Sequence, residues 1–168
     1  MDFRQAVMQD LPQLKDMYKR IIKNMNEQNI QIWDDIYPCE FFEGDIKNNQ
    51  LYILLNNGEI VSAFVLSDTN SGETAVEWND NHAKAVYIDI LGVNIKYLKK
   101  GLGNLMLDKA KEIAKTLNAE YLRLFVIDIN IPAIQLYTKK EFVKVNGVYN
   151  EIFDDGFVLY EHGYEIKL

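Results

Sequence analysis

A mixed α/β (α+β) fold is the class this chain predicts, on three observations. Two apolar runs, 51–55 and 60–66, flank Asn57-Gly58, the strongest short-range signal for a tight hairpin. Two stretches, 14–25 and 102–117, repeat their apolar residues at three- and four-residue spacing, the period of a helix buried along one face. Apolar runs at 85–93 and 121–127 bracket the second of these stretches, the strand–helix–strand order of a mixed sheet.

The elements follow in order. Residues 3–7 read as a short opening strand. Asp10, Pro12 and Gln13 form a helix start, with Asp10 as cap, Pro12 in the first turn and Gln13 at capping-box spacing. Leu14, Met17, Tyr18, Ile21, Ile22 and Met25 then mark the buried face of the helix. Residues 26–38 are irregular and hold Trp33 and Tyr37; a short helix follows from Pro38 through Phe41, Phe42 and Ile46. After the hairpin, a polar loop at 67–72 leads to a short run at 74–78. A strand at 85–93 carries Asp89 among apolar residues, and Gly101 opens the second long helix. A strand at 121–127, a helix at 132–140 and strands at 142–149 and 157–161 complete the order.

With 168 residues the chain suits a single domain, residues 1–168. A chain of this size buries about 68–70% of its extended surface, enough to fold without a disulfide or structural metal. Cys39 is the only cysteine, which points to a reducing, cytoplasmic setting. The opening Met1-Asp2-Phe3-Arg4-Gln5 lacks the apolar stretch of a secretory signal, and no run approaches the roughly 20 apolar residues of a membrane span. Asp and Glu outnumber Lys and Arg by 25 to 18, a formal net charge of −7. A nucleic-acid binder would carry the opposite balance, because phosphate neutralisation supplies much of that affinity. His82 and His162 stand far apart without ligand spacing, so they read as surface or loop residues, and no metal site is expected.

The chemistry concentrates in Leu91-Gly92-Val93-Asn94-Ile95-Lys96-Tyr97-Leu98-Lys99-Lys100-Gly101-Leu102-Gly103-Asn104. Here an apolar strand runs through a lysine-rich, glycine-containing turn into an amphipathic helix. The first turn of a helix leaves about four N–H groups without intrahelical acceptors, and the macrodipole adds roughly half a positive charge. Glycine lets an anion approach that backbone, and Lys96, Lys99 and Lys100 add full charges. The pattern is not a P-loop, since the lysines precede the glycines, nor a dinucleotide fingerprint, since Met106 stands where a third glycine belongs.

Downstream lies Asn130-Ile131-Pro132-Ala133-Ile134-Gln135-Leu136-Tyr137-Thr138-Lys139-Lys140-Glu141-Phe142. With both segments in view, the chain resembles the GNAT superfamily of acyl-CoA-dependent N-acetyltransferases. In that family a strand ending in Val leads to Arg/Gln-x-x-Gly-x-Gly/Ala at a helix start. About 25 to 30 residues later comes Asn-x-x-Ala-x-x-Leu-Tyr-x-x-x-Gly-Phe. Phe3-Arg4-Gln5-Ala6 with Asp10-Leu11-Pro12 is similar to the family's opening, and Trp33 with Tyr37-Pro38 to a pattern in one bacterial subgroup. Two positions depart: Leu98 replaces the Arg or Gln, and Glu141 replaces the Gly before the final Phe.

The resemblance implies a mostly antiparallel central sheet flanked by helices, whose strands at 85–93 and 121–127 diverge to admit pantetheine. It implies acetyl-CoA as co-substrate and no metal, with direct attack by an amine through a tetrahedral intermediate. Cofactor contacts fall on Leu91, Val93, Leu98, Lys99, Lys100, Gly101, Leu102, Gly103, Asn104 and Asn130, with the Val93 N–H as oxyanion donor. Tyr137 matches the general acid for the departing thiolate. A primary amine of pKa near 10.4 is on the order of 0.1% neutral at pH 7, so a base is also needed. Asp89, Glu77 and a chain of waters all remain open for it; strand alternation points Asp89 and Leu91 to one face. Trp33, Tyr37 and Phe41 are candidates for the acceptor wall, through cation–π contact with an ammonium, or for a satellite apolar cluster. The acceptor is expected to be a small-molecule amine, with a protein N-terminus or lysine, or a non-catalytic acyl-CoA sensor, as alternatives. The family leaves a homodimer open, and neither nucleic acid nor membrane is expected as partner.

Overall fold

The computed structural model describes residues 1–168, and these form two compact units: residues 1–66 with 89–106, and residues 67–88 with 107–168. Strand β5 (Ala85–Val93) passes from the second unit into the first, and helix α3 (Leu102–Thr116) passes back.

The first unit opens with β1 (Asp2–Gln5) and α1 (Leu11–Glu27), followed by α2 (Phe42–Lys47), β2 (Leu51–Asn56) and β3 (Glu59–Ser67). β1 runs antiparallel to β2, β2 to β3, and β3 lies beside β5. Asn57 (φ 50°) and Gly58 (φ 81°) both adopt the left-handed backbone that a two-residue hairpin turn requires. Leu14, Met17, Tyr18, Ile21 and Ile22 are the buried face of α1. Leu14, Met17, Tyr18 and Ile21 pack with Phe42 and Ile46 of α2 and with Leu51, Ile53, Ile60, Ala63, Val65 and Ile90 of the strands.

The start of α1 is not capped as expected. The Asp10 carboxylate accepts from the Val7 N–H at 2.8 Å, closing the preceding 3-10 turn (Met8–Asp10), and pairs with Arg4 at 2.7 Å. Gln13 reaches away instead, donating to the Gly58 carbonyl at 3.3 Å and accepting from the Ile60 N–H. It therefore ties the helix to the hairpin.

The second unit contains β4 (Val76–Glu77), β6 (Tyr121–Ile127), α4 (Ile131–Lys139), β7 (Val143–Lys144), β8 (Asn146–Gly147), β9 (Tyr149–Ile152) and β10 (Val158–Lys167). β10 is its spine: it runs antiparallel to β6 from Glu161/Ile127 to Lys167/Tyr121, and also pairs β9 and β7. β5 and β6 are the parallel pair, and their ladder stops after Ala85/Tyr121, Val86/Leu122 and Tyr87/Arg123. The sheet is thus mixed and mostly antiparallel, with helices flanking it.

Two strand expectations change. The run 142–149 is broken into β7, β8 and the start of β9, because β8 turns away to pair β4 through Val76/Gly147 and Glu77/Asn146. Gly147 (φ 97°) permits this: a Cβ there would lie 2.8 Å from the Ala75 carbonyl oxygen. The last strand reaches Lys167 rather than ending at 161. Gly163 interrupts its side-chain pattern, and it does so to pass beneath Trp78, Val76 and Val145.

Candidate active site

At the end of β5 the chain crosses a 3-10 turn (Ile95–Tyr97) into α3. Buried Asn94 pins that turn: its Oδ1 accepts from the Lys96 N–H and its Nδ2 donates to the Ile60 carbonyl, each at 3.2 Å. Lys99 (φ 60°) and Gly101 (φ 79°) are left-handed, and together they reverse the chain before α3. A Cβ on Gly101 would meet nothing within 4 Å, so this glycine serves conformation and leaves open ground beside the helix start. The N–H groups of Leu102, Gly103 and Asn104 begin α3 and have no acceptor within it.

The lysines divide. Lys96 pairs with Glu59 at 3.0 Å, so its charge is already matched and it is not the free cation expected of it. That pairing, with the Tyr97 hydroxyl donating to the same side chain, holds the Glu59 carboxyl below its usual range. Lys100 sits with its Nζ 4.7 Å above the Tyr97 ring, and Lys99 is exposed with no ion pair. Leu98 is exposed and offers no polar group. Asn104 Oδ1 is buried without a hydrogen-bond partner. Clear backbone amides, a helix dipole and two exposed ammonium groups suit a phosphate or pyrophosphate.

β5 itself is kinked. Ile90 adopts φ 47°, a conformation that costs a β-branched residue about 1–2 kcal/mol. The pleat is interrupted there, so simple alternation does not carry from Asp89 to Leu91. Asp89 is exposed, and its carboxylate accepts from the Ile90 N–H at 2.8 Å. Buried Tyr18 braces the kink by donating to the Ile90 carbonyl at 2.5 Å. Gly92 makes room for that ring, since a Cβ there would stand 2.8 Å from the Tyr18 hydroxyl. Ser62 donates to the Gly92 carbonyl at 2.6 Å.

The desolvated carboxylate is therefore Asp45 in α2, which sequence reasoning missed. Burial first, and the Asp89 charge second, push it from 3.8 up to about 6. A carboxyl poised there exchanges protons readily near neutral pH. No sequence signal marks it, because it stands between Glu43 and Lys47 in a short charged helix. Burial also raises the hydroxyl of Tyr18 and the thiol of Cys39. Trp33 lies 5.7 Å from the Tyr18 ring, and Tyr37 meets Phe41 edge-on at 5.7 Å. Trp33 and Tyr37 pack against the core, whereas Phe41 is exposed.

The remaining expected residues belong to the second unit. Asn130 caps α4, its Oδ1 accepting from the Ala133 N–H at 3.4 Å. Tyr137 is buried, its ring 6.0 Å from Phe142. Glu141 adopts φ 67°, the conformation for which glycine is preferred. Glu77 is exposed on β4 opposite Asn146. His162 lies on β10, not in a loop, and its Nδ1 is buried without a partner; His82 is exposed in a turn. No group of three or more His, Cys, Asp or Glu is placed to hold a metal, and no helix is long and apolar enough to cross a membrane.

Residues 14–142 match the model of the acetyltransferase (GNAT) family. Among solved structures, the chain is similar to a provisionally assigned acetyltransferase of Staphylococcus aureus Mu50, at 24% identity and TM-score 0.74 over 99% of both chains. It is similar to the ribosomal-protein-alanine N-acetyltransferase of Brucella melitensis, at 16% identity and TM-score 0.71 over all of both chains. It is also similar to yncA of Salmonella typhimurium, solved with its cofactor acetyl-CoA, at 15% identity and TM-score 0.68 over 99% of this chain and 93% of that one. At these identities the structural likeness is one of fold. No curated protein matches the chain.

Proposed function

The chain belongs to the acetyltransferase (GNAT) family, and from that premise we propose that it transfers the acetyl group of acetyl-CoA to a small amine, as one cytoplasmic enzyme domain over residues 1–168. The observation that carries this reading is the turn from Leu98 to Asn104, with Gly101 left-handed over open ground and Lys99 and Lys100 exposed beside it.

Bound acetyl-CoA supplies an activated acetyl group as a thioester. The N–H groups of Leu102, Gly103 and Asn104, with Lys99 and Lys100, hold its pyrophosphate, and Leu98 contributes only backbone. Leu91 and Val93 present backbone to the pantetheine arm. The Val93 N–H donates to the acetyl oxygen as negative charge develops on it. Asn130 contacts the cofactor while capping α4. The Tyr137 hydroxyl gives its proton to the departing sulfur. Asp89 accepts a proton from the acceptor's ammonium and so frees the neutral amine to attack, with Glu77 or water as the alternative acceptors. The partly buried Asp45 adds negative charge near Asp89 that favours a cationic acceptor. Trp33, Tyr37 and Phe41 wall the acceptor.

Calorimetric titration with acetyl-CoA, with AMP as control, tests the cofactor. Saturable binding of acetyl-CoA alone is expected, and absence of heat would remove the cradle reading. An amine panel then tests the chemistry: Tyr137→Phe should lower kcat by about 100-fold while leaving KM for acetyl-CoA unchanged. An unchanged kcat would remove Tyr137 from its role. Turnover confined to peptide N-termini would replace the small amine.

A further inference from the structure

The turn that leads into α3 is tied to the sheet through one aromatic ring. The Tyr97 hydroxyl donates to Glu59 Oε2 at 3.0 Å, and Asn56 Nδ2 donates to the same hydroxyl at 3.5 Å. Asn56 ends β2 and Glu59 begins β3, so Tyr97 is anchored on both sides of the Asn57-Gly58 turn. Glu59 also accepts from Asn94 Nδ2 at 3.5 Å and pairs with Lys96 at 3.0 Å. Lys96 thereby offsets the carboxylate that anchors Tyr97, which would otherwise repel an anion at the helix start.

Lys100 rests on that ring. Its Nζ lies 4.7 Å from the ring centroid, inside the roughly 6 Å reach of a cation–π contact, and it takes part in no salt bridge. Lys99 is exposed too, but makes no such ring contact. A lysine loses much side-chain freedom when it is fixed, so an ammonium already held costs less to bind. Leu98 stands where the family carries Arg or Gln, and it offers no polar group. A held ammonium two residues further along supplies the charge missing there.

We propose that Tyr97 is a positioning residue for the cofactor: its ring, fixed by Glu59, holds the Lys100 ammonium ready for the pyrophosphate and so replaces the polar side chain absent at Leu98. The inference rests on the acetyl-CoA reading and deepens it, by naming which of the two lysines carries the contact and what prepares it. Tyr97 acts only through Lys100.

Calorimetric titration of the full chain with free CoA tests it without turnover. Lys100→Met should weaken CoA about tenfold, and Lys99→Met should weaken it less. Tyr97→Leu should weaken it about two- to fivefold, whereas Tyr97→Phe, which keeps the ring, should retain more affinity. Once Lys100 is replaced by Met, adding Tyr97→Leu should cost nothing further. Circular dichroism checks that each variant is folded, and both lysines are exposed, so their comparison stands even if Tyr97→Leu unfolds. The proposal is overturned if the losses from Tyr97→Leu and Lys100→Met add, if Lys99→Met costs as much as Lys100→Met, or if Tyr97→Phe loses as much as Tyr97→Leu. Saturable binding by the parent chain with every variant unchanged removes this inference alone. No heat from the parent chain removes the acetyl-CoA reading and this inference with it.

Discussion

Replacing Asp45 by Asn should stabilise this protein at neutral pH. The carboxyl of Asp45 is pushed from 3.8 to about 6 by its burial and by Asp89. Below the lower value the group is protonated in both folded and unfolded chains and contributes nothing. Between the two values only the unfolded chain releases its proton, so stability falls as pH rises; above about 6 the penalty is constant. At 1.36 kcal/mol for each pH unit, the interval corresponds to about 3 kcal/mol. Asp45 is half-buried, and solvent screening reduces the expected gain to about 1–2 kcal/mol. Asn keeps the shape and cannot ionise. Urea unfolding of both proteins across this pH interval is the assay. The two stability curves should coincide at the acid end and separate up to about pH 6, with the Asn variant above. Parallel curves, or an Asn variant less stable at neutral pH, would refute the burial argument. Asp89→Asn should remove part of the same separation, since Asp89 is the second cause of the shift.

Three further perturbations follow from packing and backbone geometry. Gly92→Ala drives a methyl into the Tyr18 hydroxyl at 2.8 Å and should cost about 1–3 kcal/mol, read as a lower Tm. Glu141→Gly relieves a left-handed residue and should stabilise by up to about 1 kcal/mol in the same assay. Arg123→Leu strands the buried Glu165 and should cost about 3–5 kcal/mol. Adding Glu165→Leu should recover much of that loss, and a double variant no better than the single one would show that the charge was not the cause.

The boundaries of β5 and β6 could be read to the residue because each is a continuous apolar run closed by polar or glycine-rich chain. The Asn57-Gly58 turn was equally plain, since its left-handed backbone is a local property of those two residues. The break between β7 and β8 was not, because it depends on β4, some seventy residues earlier. The same division holds for the candidate site. The cradle from Leu98 to Asn104 is contiguous, so its glycines and lysines stand together in the sequence. Asp45 gains its shifted carboxyl only from packing, and nothing in Gly44-Asp45-Ile46 announces it. The kink at Ile90 was hidden for a related reason: isoleucine favours extended backbone, and here Tyr18, far away in sequence, overrides that preference.

The spine role of β10 governs when this protein can finish folding. A ribosome delivers residues 158–167 after every strand they pair with, so β6, β7 and β9 all emerge ahead of their partner. The β2–β3 hairpin, closed by two residues, can zip as soon as it is made, whereas the β6–β10 ladder must wait on a distant loop closure. During that wait Tyr-Leu-Arg-Leu-Phe-Val-Ile, the whole of β6, is an exposed apolar strand without Pro, Gly or acidic residue. Chains stalled or cut just short of β10 would therefore be prone to aggregate rather than to persist as half-built monomers.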